Sequence, residues 1–359
     1  MRNPAQERFV ELDLLRFAAA VSVLIYHYKT KYVESLDTAH TNLAAAVYGV
    51  TKFGYLGVDL FFMISGFVIF SSALGRTPFQ FVVSRTTRIF PTLWVCSSIT
   101  AITAVLITNE SAVAEASRWI SGLLLLNPVF GLDFVDGVYW TLIVELRFYL
   151  CVLVLLQFNL LGHYRVWLPL WLAAAATFLL TGQPFFMGWA ISPEYSAHFI
   201  AGIAFFLLKR DGMRSPLPIL LLVGALPIAC ARAYGLAGDF MRDVTPADRR
   251  IAAAVIAGYF IVFCVMTLKR RPWRVRAWML GLGGVTYPLY LLHDRLGKSI
   301  YDALMPRIGA LPLLLTITAA MLTLAYLIHI FLERRIADRL KAQLIEAGGM
   351  VQRWFRASA

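Results

Sequence analysis

Charged residues are scarce in this chain: Asp, Glu, Lys and Arg together make up 15% of its 359 residues. A soluble domain usually carries about a quarter of its residues in these four types. Hydrophobic residues make up 59%, and so apolar a chain could not cover itself with polar surface in water. The shortage of charge therefore excludes an ordinary soluble domain and predicts a protein that lies in lipid.

Cysteine is also rare. The four cysteines lie far apart, with no C-x-x-C pair and no spacing typical of a metal site, so we interpret them as small packing residues and predict no metal. No strong internal repeat of the kind that many transporters carry is present. No small-residue cleavage site follows the first apolar segment, and we expect that segment to remain as a helix.

Long apolar stretches, by contrast, recur along the whole chain. A helix needs about 20 apolar residues to cross a bilayer core of about 30 Å. We predict an all-α integral membrane protein with about ten transmembrane helices, which lie near 12–30, 55–74, 89–108, 137–157, 165–182, 193–209, 216–234, 250–268, 277–297 and 310–333. A shorter apolar stretch at 117–130 is interrupted by Asn127-Pro128, and we expect it to be interfacial or re-entrant.

The basic residues predict how the chain is oriented. Cytoplasmic loops of membrane proteins carry an excess of Lys and Arg. If the N-terminus is placed in the cytoplasm, most of the Lys and Arg residues in loops fall on the cytoplasmic side. This orientation is therefore predicted, and it makes both termini cytoplasmic. The same bias and the anionic lipid headgroups explain the net charge of +12, so membrane lipids are expected partners and nucleic acid is not. We predict a transmembrane domain at 1–333 and an amphipathic cytoplasmic tail at 334–359, with Ile336, Leu340 and Leu344 at helical spacing.

Ionisable side chains inside the predicted spans are the first candidates for function, because a charge there costs at least about 2.5 kcal/mol on insertion scales. In the first span, Asp13 and Arg16 are three residues apart and share a helix face; they form either an interfacial ion pair or part of a site. His27 follows about three turns later, about 16 Å along the axis. Imidazole is the commonest general base, although a lone membrane histidine is also compatible with a hydrogen-bonded core residue.

Two further segments carry candidates. Arg85 and Arg88, three residues apart, suit bidentate phosphate binding on the cytoplasmic side, but they also match the basic anchors that routinely precede a span. Glu145 lies one turn inside the fourth span, where a carboxylate needs a cation or hydrogen-bond donors. Arg147, two residues on, faces elsewhere on a helix and is a poor partner.

The remaining ionisable and glycine positions are expected to be structural. The ionisable ones are Asp59, His198, His293 and His329. Three glycines near the C-terminus, Gly281, Gly283 and Gly284, predict close helix packing rather than a phosphate loop, because no strand precedes them.

Five segments, in this order, resemble one family. They are Leu12-Asp13-Leu-Leu-Arg16 with His27, Gly57-Val-Asp59-Leu-Phe-Phe-Met-Ile-Ser65-Gly66-Phe67, Arg85-x-x-Arg88-Ile89, Trp140-Thr-Leu-x-x-Glu145-x-x-Phe148-Tyr149 and Tyr287-Pro-Leu-Tyr290-Leu-Leu-His293. The chain resembles, over nearly its whole length, the integral membrane acyltransferase-3 family, whose members O-acylate sugars of lipopolysaccharide, exopolysaccharide, peptidoglycan, Nod factors and some macrolides. The chain departs from the family pattern at two positions. Members often have Gly where this chain has Leu14, and Gln where it has Arg147.

The resemblance implies a multi-pass protein of the bacterial inner membrane, with a cytoplasmic acyl-CoA donor, expected to be acetyl-CoA, and a carbohydrate acceptor outside. His27 would be the catalytic histidine, as general base or transient acyl carrier. Arg85 and Arg88 would bind the donor, whose pantetheine arm would pass Arg16. Glu145 would orient or charge-balance the imidazole.

Another class of function fits the same residues. Buried His, Glu and Arg also suit proton coupling in a multi-pass transporter or flippase for a glycan or small solute. A purely structural membrane subunit is a more distant alternative, because it would not need a histidine and a carboxylate in separate spans.

Overall fold

A computed structural model describes residues 9–37, 42–182, 191–241, 244–269, 277–305 and 310–357. Within these ranges the chain is built from helices and turns, with no β-strand. The prediction of an all-α protein is therefore confirmed for the described residues.

The described residues form fourteen α-helices. In chain order they are α1 (Val10–Asp37), α2 (Asn42–Thr51), α3 (Gly57–Ala73), α4 (Pro78–Thr108), α5 (Ala112–Gly122), α6 (Trp140–Gln157), α7 (Tyr164–Thr181), α8 (Ser196–Asp211), α9 (Pro216–Phe240), α10 (Pro246–Leu268), α11 (Ala277–Leu292), α12 (Arg295–Leu304), α13 (Ala310–Leu327) and α14 (Arg334–Ala357). A π-helical segment, Ile328–Glu333, joins α13 to α14.

Seven stretches of the described residues are long and apolar enough to cross a membrane. They are Ala45–Ala73, Pro78–Thr108, Gly137–Gln157, Leu161–Thr181, Pro216–Phe240, Pro246–Leu268 and Pro312–Met350. The predicted spans near 193–209 and 277–297 coincide with α8 and α11, which have 16 residues each. The total of ten spans and the cytoplasmic termini stay predictions, and residues 1–8 and 358–359 lie outside the described residues.

The chain divides into two compact units. The first unit comprises Met1–Gly75 and Thr141–Gly283, and the second comprises Arg76–Trp140 and Gly284–Ala359. The first unit thus holds α1 to α3 and α7 to α10, and the second holds α4, α5 and α12 to α14. The predicted tail forms α14 in the second unit, where Ile336, Leu340 and Leu344 are less exposed than the residues around them.

Helix α4 begins eleven residues before the predicted span at 89. The cause is a complete capping box: the Thr77 hydroxyl accepts from the backbone N–H of Gln80 (3.2 Å), and the Gln80 side chain accepts from the N–H of Thr77 (3.1 Å). Pro78 at the first helical position favours the same start. Arg85 and Arg88 therefore lie on a helix, one turn apart.

Glycine allows α3 and α8 to pack backbone against backbone in the first unit. A Cβ added at Gly66 would overlap the carbonyl oxygen of Phe199, and one added at Gly202 would overlap the carbonyl oxygen of Met63. Small residues at such crossings let helices approach closely in membranes. This close approach fixes the two helices that carry Asp59 and His198.

Replacing Gly202 with alanine should destabilise the protein by about 1–3 kcal/mol, because the added methyl meets backbone that has no room to yield. Thermal unfolding in detergent measures the loss. Gly258→Ala is the matched control, since no described heavy atom lies within 4 Å of a Cβ at Gly258 in α10. Equal melting temperatures for the two variants would contradict this account of the crossing.

Candidate functional site

His27 lies in α1 of the first unit and is half-buried. Its neighbour Tyr26 is fixed in place: the Tyr26 hydroxyl donates to the carbonyl oxygen of Phe240 (2.5 Å). Tyr55 stacks on the Phe240 ring with 4.7 Å between centroids, and its buried hydroxyl has no hydrogen-bond partner among the described residues. His27 thus lies beside a group of aromatic rings that is anchored at the end of α9.

Close packing also holds this part of α1. A Cβ at Gly54 would overlap the carbonyl oxygen of Ser22, and a Cβ at Gly57 would lie 2.7 Å from the carbonyl oxygen of Ala19. The Ser22 hydroxyl donates to the carbonyl oxygen of Gly54 (3.3 Å). The turns of α1 that precede His27 are therefore held against the start of α3, which limits the positions that the imidazole can take.

Arg16 forms the ion pair that its spacing predicts. Its Nη1 lies 3.6 Å from Asp13 Oδ1, and the Asp13 carboxyl packs against Gly283, where a Cβ would leave it no room. The predicted close packing is therefore confirmed at Gly283, but it is wrong at Gly281, where no described heavy atom lies within 4 Å of an added Cβ. Asp13 neutralises part of the Arg16 charge inside the first unit, so the ion pair is confirmed. Its position at the membrane interface and a role of Arg16 in donor binding stay predictions.

Glu145 is held by hydroxyl groups. Its Oε1 accepts from Ser65 (2.7 Å) on α3 and from Tyr149 (2.6 Å) one turn along α6. Arg147 instead donates to the Ser192 hydroxyl (3.3 Å), as the two-residue spacing predicts. Within the described ranges Glu145 has no ion pair, so of the two alternatives that the sequence offered, a cation or hydrogen-bond donors, the structure shows the donors.

Arg85 and Arg88 lie in the second unit, on α4, and both are only partly buried. The Arg85 guanidinium donates to the Ser84 hydroxyl (2.9 Å) and lies 5.9 Å from the centre of the Phe81 ring. Burial and the nearby Arg85 guanidinium lower the pKa of Arg76. This part of the second unit therefore has the concentration of positive charge that an anionic ligand requires.

Arg88 has an acidic partner that the sequence reading did not identify. Its Nη1 lies 2.9 Å from Oε1 of Glu333, which is buried at the end of the π-helical segment. His329 Nδ1 lies 2.6 Å from Oε2 of the same carboxylate. The four-residue spacing of His329 and Glu333 was the available signal, but Glu333 stands at the predicted end of the transmembrane domain and was not singled out as a candidate.

A second buried pair joins α3 to α8 in the first unit. His198 Nε2 lies 3.3 Å from Asp59 Oδ1, and both side chains are buried. Asp59 and His198 were each expected to be structural, and 139 residues of sequence separate them. Only the glycine-mediated crossing of the two helices brings them together.

The apolar stretch at 117–130 contributes to a buried ionic cluster in the second unit. Arg295, at the start of α12, makes two hydrogen bonds to the Glu115 carboxylate (3.0 and 2.8 Å), which Arg118 also contacts. The fully buried Asn127 side chain donates to the Arg118 carbonyl oxygen and the Ser121 hydroxyl in α5, and to the Asp133 carbonyl oxygen in the turns that follow. The segment is a short helix followed by turns. These contacts hold it to the start of α12, which is a structural role.

Comparison with known families identifies the chain. A family model described as an acyltransferase domain matches residues 9–330. The chain belongs to the acyltransferase-3 family. The predicted resemblance is confirmed, and the match includes all five predicted site residues, Arg16, His27, Arg85, Arg88 and Glu145.

One curated relative of this acyltransferase-3 protein is Nodulation protein 10 of Rhizobium leguminosarum bv. viciae, which is 30% identical over 169 residues. The similarity covers 40% of this chain and 43% of the relative, so the match spans less than half of either protein. No solved structure matches the chain.

Family membership and the seven apolar helices make this acyltransferase-3 chain a multi-pass membrane protein. Its predicted site residues fall in both units: His27, Arg16 and Glu145 in the first, and Arg85 and Arg88 in the second. In the described ranges, no group of three His, Cys, Asp or Glu side chains is arranged to hold a metal ion.

Proposed function

We propose that this chain is a membrane O-acyltransferase that transfers an acyl group, acetyl in the first instance, from cytoplasmic acyl-CoA to a hydroxyl of an extracytoplasmic carbohydrate. The observation that carries the proposal is the family match over residues 9–330. The similarity to a nodulation protein supports a carbohydrate acceptor, since the family includes members that acylate Nod factors.

His27 acts as the general base in this proposal. Its imidazole takes the proton from the acceptor hydroxyl while the hydroxyl oxygen attacks the thioester carbonyl. The tetrahedral intermediate expels the coenzyme A thiolate, which takes up the proton, so the products are an ester and free coenzyme A. In the alternative order the imidazole first carries the acyl group and then passes it to the acceptor. The fixed position of Tyr26 supports either order, because it restrains the turn that carries His27.

Arg85 and Arg88 bind the phosphates of the donor. Guanidinium groups suit this task because their planar forks match phosphate oxygens in pairs and stay charged at all physiological pH values. Their position one turn apart on α4, with Arg76 close to Arg85, supports a shared anion site. In this proposal the pantetheine arm of the donor passes Arg16.

Glu145 keeps its carboxylate available as an acceptor. The hydroxyl groups of Ser65 and Tyr149 both donate to Oε1, and no cation neutralises the group within the described residues. A carboxylate that is held by hydroxyl groups can orient a histidine or stabilise an imidazolium, as the acidic member of a triad does. This supports the assignment of Glu145 to the catalytic group.

Membrane vesicles that contain the protein test the proposal directly. Labelled acetyl-CoA is supplied on the cytoplasmic face, and the envelope glycans are then analysed for label and for the added acyl mass. Labelled glycan, absent when the gene is deleted, supports the acyltransferase. A glycan or solute that crosses the membrane unchanged, with no label transferred, would instead favour a transporter.

Ser65→Ala should lower the rate of transfer by about tenfold or more, because a hydrogen bond to a charged group contributes about 1.5–3 kcal/mol. The turnover number in vesicles measures the effect, and the KM for acetyl-CoA should change little. Ser71→Ala is the matched control, since among the described residues the hydroxyl of this buried α3 serine bonds within its own helix, to the Val68 carbonyl oxygen (3.0 Å). Full activity of Ser65→Ala would remove Glu145 from the catalytic group.

A further inference from the structure

A buried carboxylate in the second unit has both of its oxygens occupied. Glu333 Oε1 accepts from Arg88 Nη1 at 2.9 Å, and Oε2 lies 2.6 Å from His329 Nδ1. Only 8% of the Glu333 side chain is exposed, against 41% for Arg88. The Glu333 carboxylate is therefore buried and fixed, while much of the Arg88 side chain stays accessible.

His329 is itself fixed by its surroundings. A Cβ at Gly284 would overlap Cε1 and Nε2 of the imidazole, so the ring lies directly on the bare backbone of α11. This contact confirms the predicted close packing at Gly284. With Glu333 ionised, Nδ1 carries the hydrogen and donates it to the carboxylate, which prevents the carboxylate from rotating.

The segment that carries both residues is unusual. His329 and Glu333 lie four residues apart in the π-helical stretch Ile328–Glu333, and π turns inside helices are frequent at functional sites. Arg88 receives a second restraint from Tyr287, whose ring centre lies 6.0 Å from the guanidinium carbon. The Tyr287 hydroxyl donates to the carbonyl oxygen of Ile89 (3.2 Å), which holds that ring against α4.

These contacts distinguish the two arginines. Arg85 donates a hydrogen bond to the neighbouring Ser84 on its own helix. Arg88 is held by a buried acid from another element through Nη1, and much of its side chain stays exposed. A guanidinium that is oriented before its ligand arrives loses less freedom on binding than a free one.

We propose that Glu333, aligned by His329, is a positioning residue that holds Arg88 ready for a phosphate group of the acyl-CoA donor. This rests on the proposed function of Arg88 in donor binding. Glu333 does not touch the donor. It occupies Nη1, and the remaining N–H groups of Arg88 bind the phosphate oxygens.

Binding of coenzyme A to the purified full chain in nanodiscs tests the proposal without an acceptor. Titration calorimetry gives the Kd for wild type, Arg88→Ala, Glu333→Ala and the double variant. Glu333→Ala should raise the Kd by about tenfold, the lower end of what loss of a supporting contact costs at metal sites. Glu333→Gln, which keeps an oxygen for Nη1, should stay closer to wild type. The double variant should bind no more weakly than Arg88→Ala, because Glu333 acts through Arg88.

Each contrary result has a separate meaning. If Arg88→Ala leaves the Kd unchanged, the donor site itself is wrong and this inference falls with it. If Arg88→Ala weakens binding but Glu333→Ala does not, the donor site stands and the positioning role is overturned. Losses that add in the double variant also overturn it, because Glu333 would then act by another route.

A second pair of variants keeps the test decisive if Glu333→Ala does not fold. Gly284→Ala pushes on the His329 ring without removing any polar group, whereas a Cβ at Gly281 on the same helix meets no described atom within 4 Å. Gly284→Ala should weaken coenzyme A binding and Gly281→Ala should not. Equal Kd values for both would contradict the proposal, and melting temperatures recorded alongside separate a binding defect from unfolding.

Discussion

Replacing His27 with alanine is expected to slow acyl transfer by about 10²–10⁴-fold, the usual contribution of a positioned general base. The loss should appear in turnover, while the Kd for coenzyme A stays near that of wild type, because the proposed phosphate ligands lie on α4. If His27 instead carries the acyl group, the loss is larger and no acyl-enzyme forms. Label transfer from acetyl-CoA to glycan in membrane vesicles measures the effect.

The control for His27→Ala is the same substitution at His163, which is exposed just before α7. His163→Ala should transfer label at the wild-type rate. Expression and melting temperature of His27→Ala should match wild type, since the half-buried imidazole is smaller than the aromatic rings beside it. Wild-type transfer by folded His27→Ala would end the assignment of catalysis to this residue, whatever the chain's family.

The second large effect concerns the donor. Arg85→Ala and Arg88→Ala should each raise the KM for acetyl-CoA by about tenfold or more, since a hydrogen bond to a charged group contributes about 1.5–3 kcal/mol and each 1.4 kcal/mol is a factor of ten. The turnover number at saturating donor should fall less than the ratio of turnover to KM. Substitution by lysine should restore part of the affinity, because the charge returns without the planar fork.

Topology is the competing explanation for these arginines. Basic residues that only orient the protein would change insertion, and accessibility labelling of the loops detects that change. Arg214→Ala provides the comparison: Arg214 is exposed and lies in another predicted cytoplasmic segment. If all three alanine variants behave alike in donor kinetics, Arg85 and Arg88 are anchors and not ligands.

Local signals predicted the helical elements well. The spans at 137–157 and 250–268 were placed within a few residues of α6 and α10, because apolar composition over about 20 residues is a strong signal. The start of α4 was missed although Thr77, Pro78 and Gln80 stand in the order of a capping box, since the prediction followed hydropathy and not capping.

The candidate site was predicted in its residue types but not in its contacts. His27 and Glu145 stand out in the sequence because ionisable groups inside a span are costly, and Arg85 and Arg88 because two guanidinium groups three residues apart suit phosphate. Their partners do not: Ser65 reaches Glu145 across 80 residues and Glu333 reaches Arg88 across 245. The sequence left open whether a cation or hydrogen-bond donors hold Glu145, and the structure shows two hydroxyl donors. Glu333, at the predicted end of the transmembrane domain, was not singled out, yet it is buried.

The sequence alone determined that this is an α-helical membrane protein, because apolar length is a local property of the chain. Five short segments in order carried its resemblance to the acyltransferase-3 family. The tertiary structure alone decided which helices meet. Whether two backbones pass closely enough for Asp59 to reach His198, or for His329 to rest on Gly284, depends on glycines facing a particular neighbour. That choice is made by packing between distant segments, which no local pattern encodes.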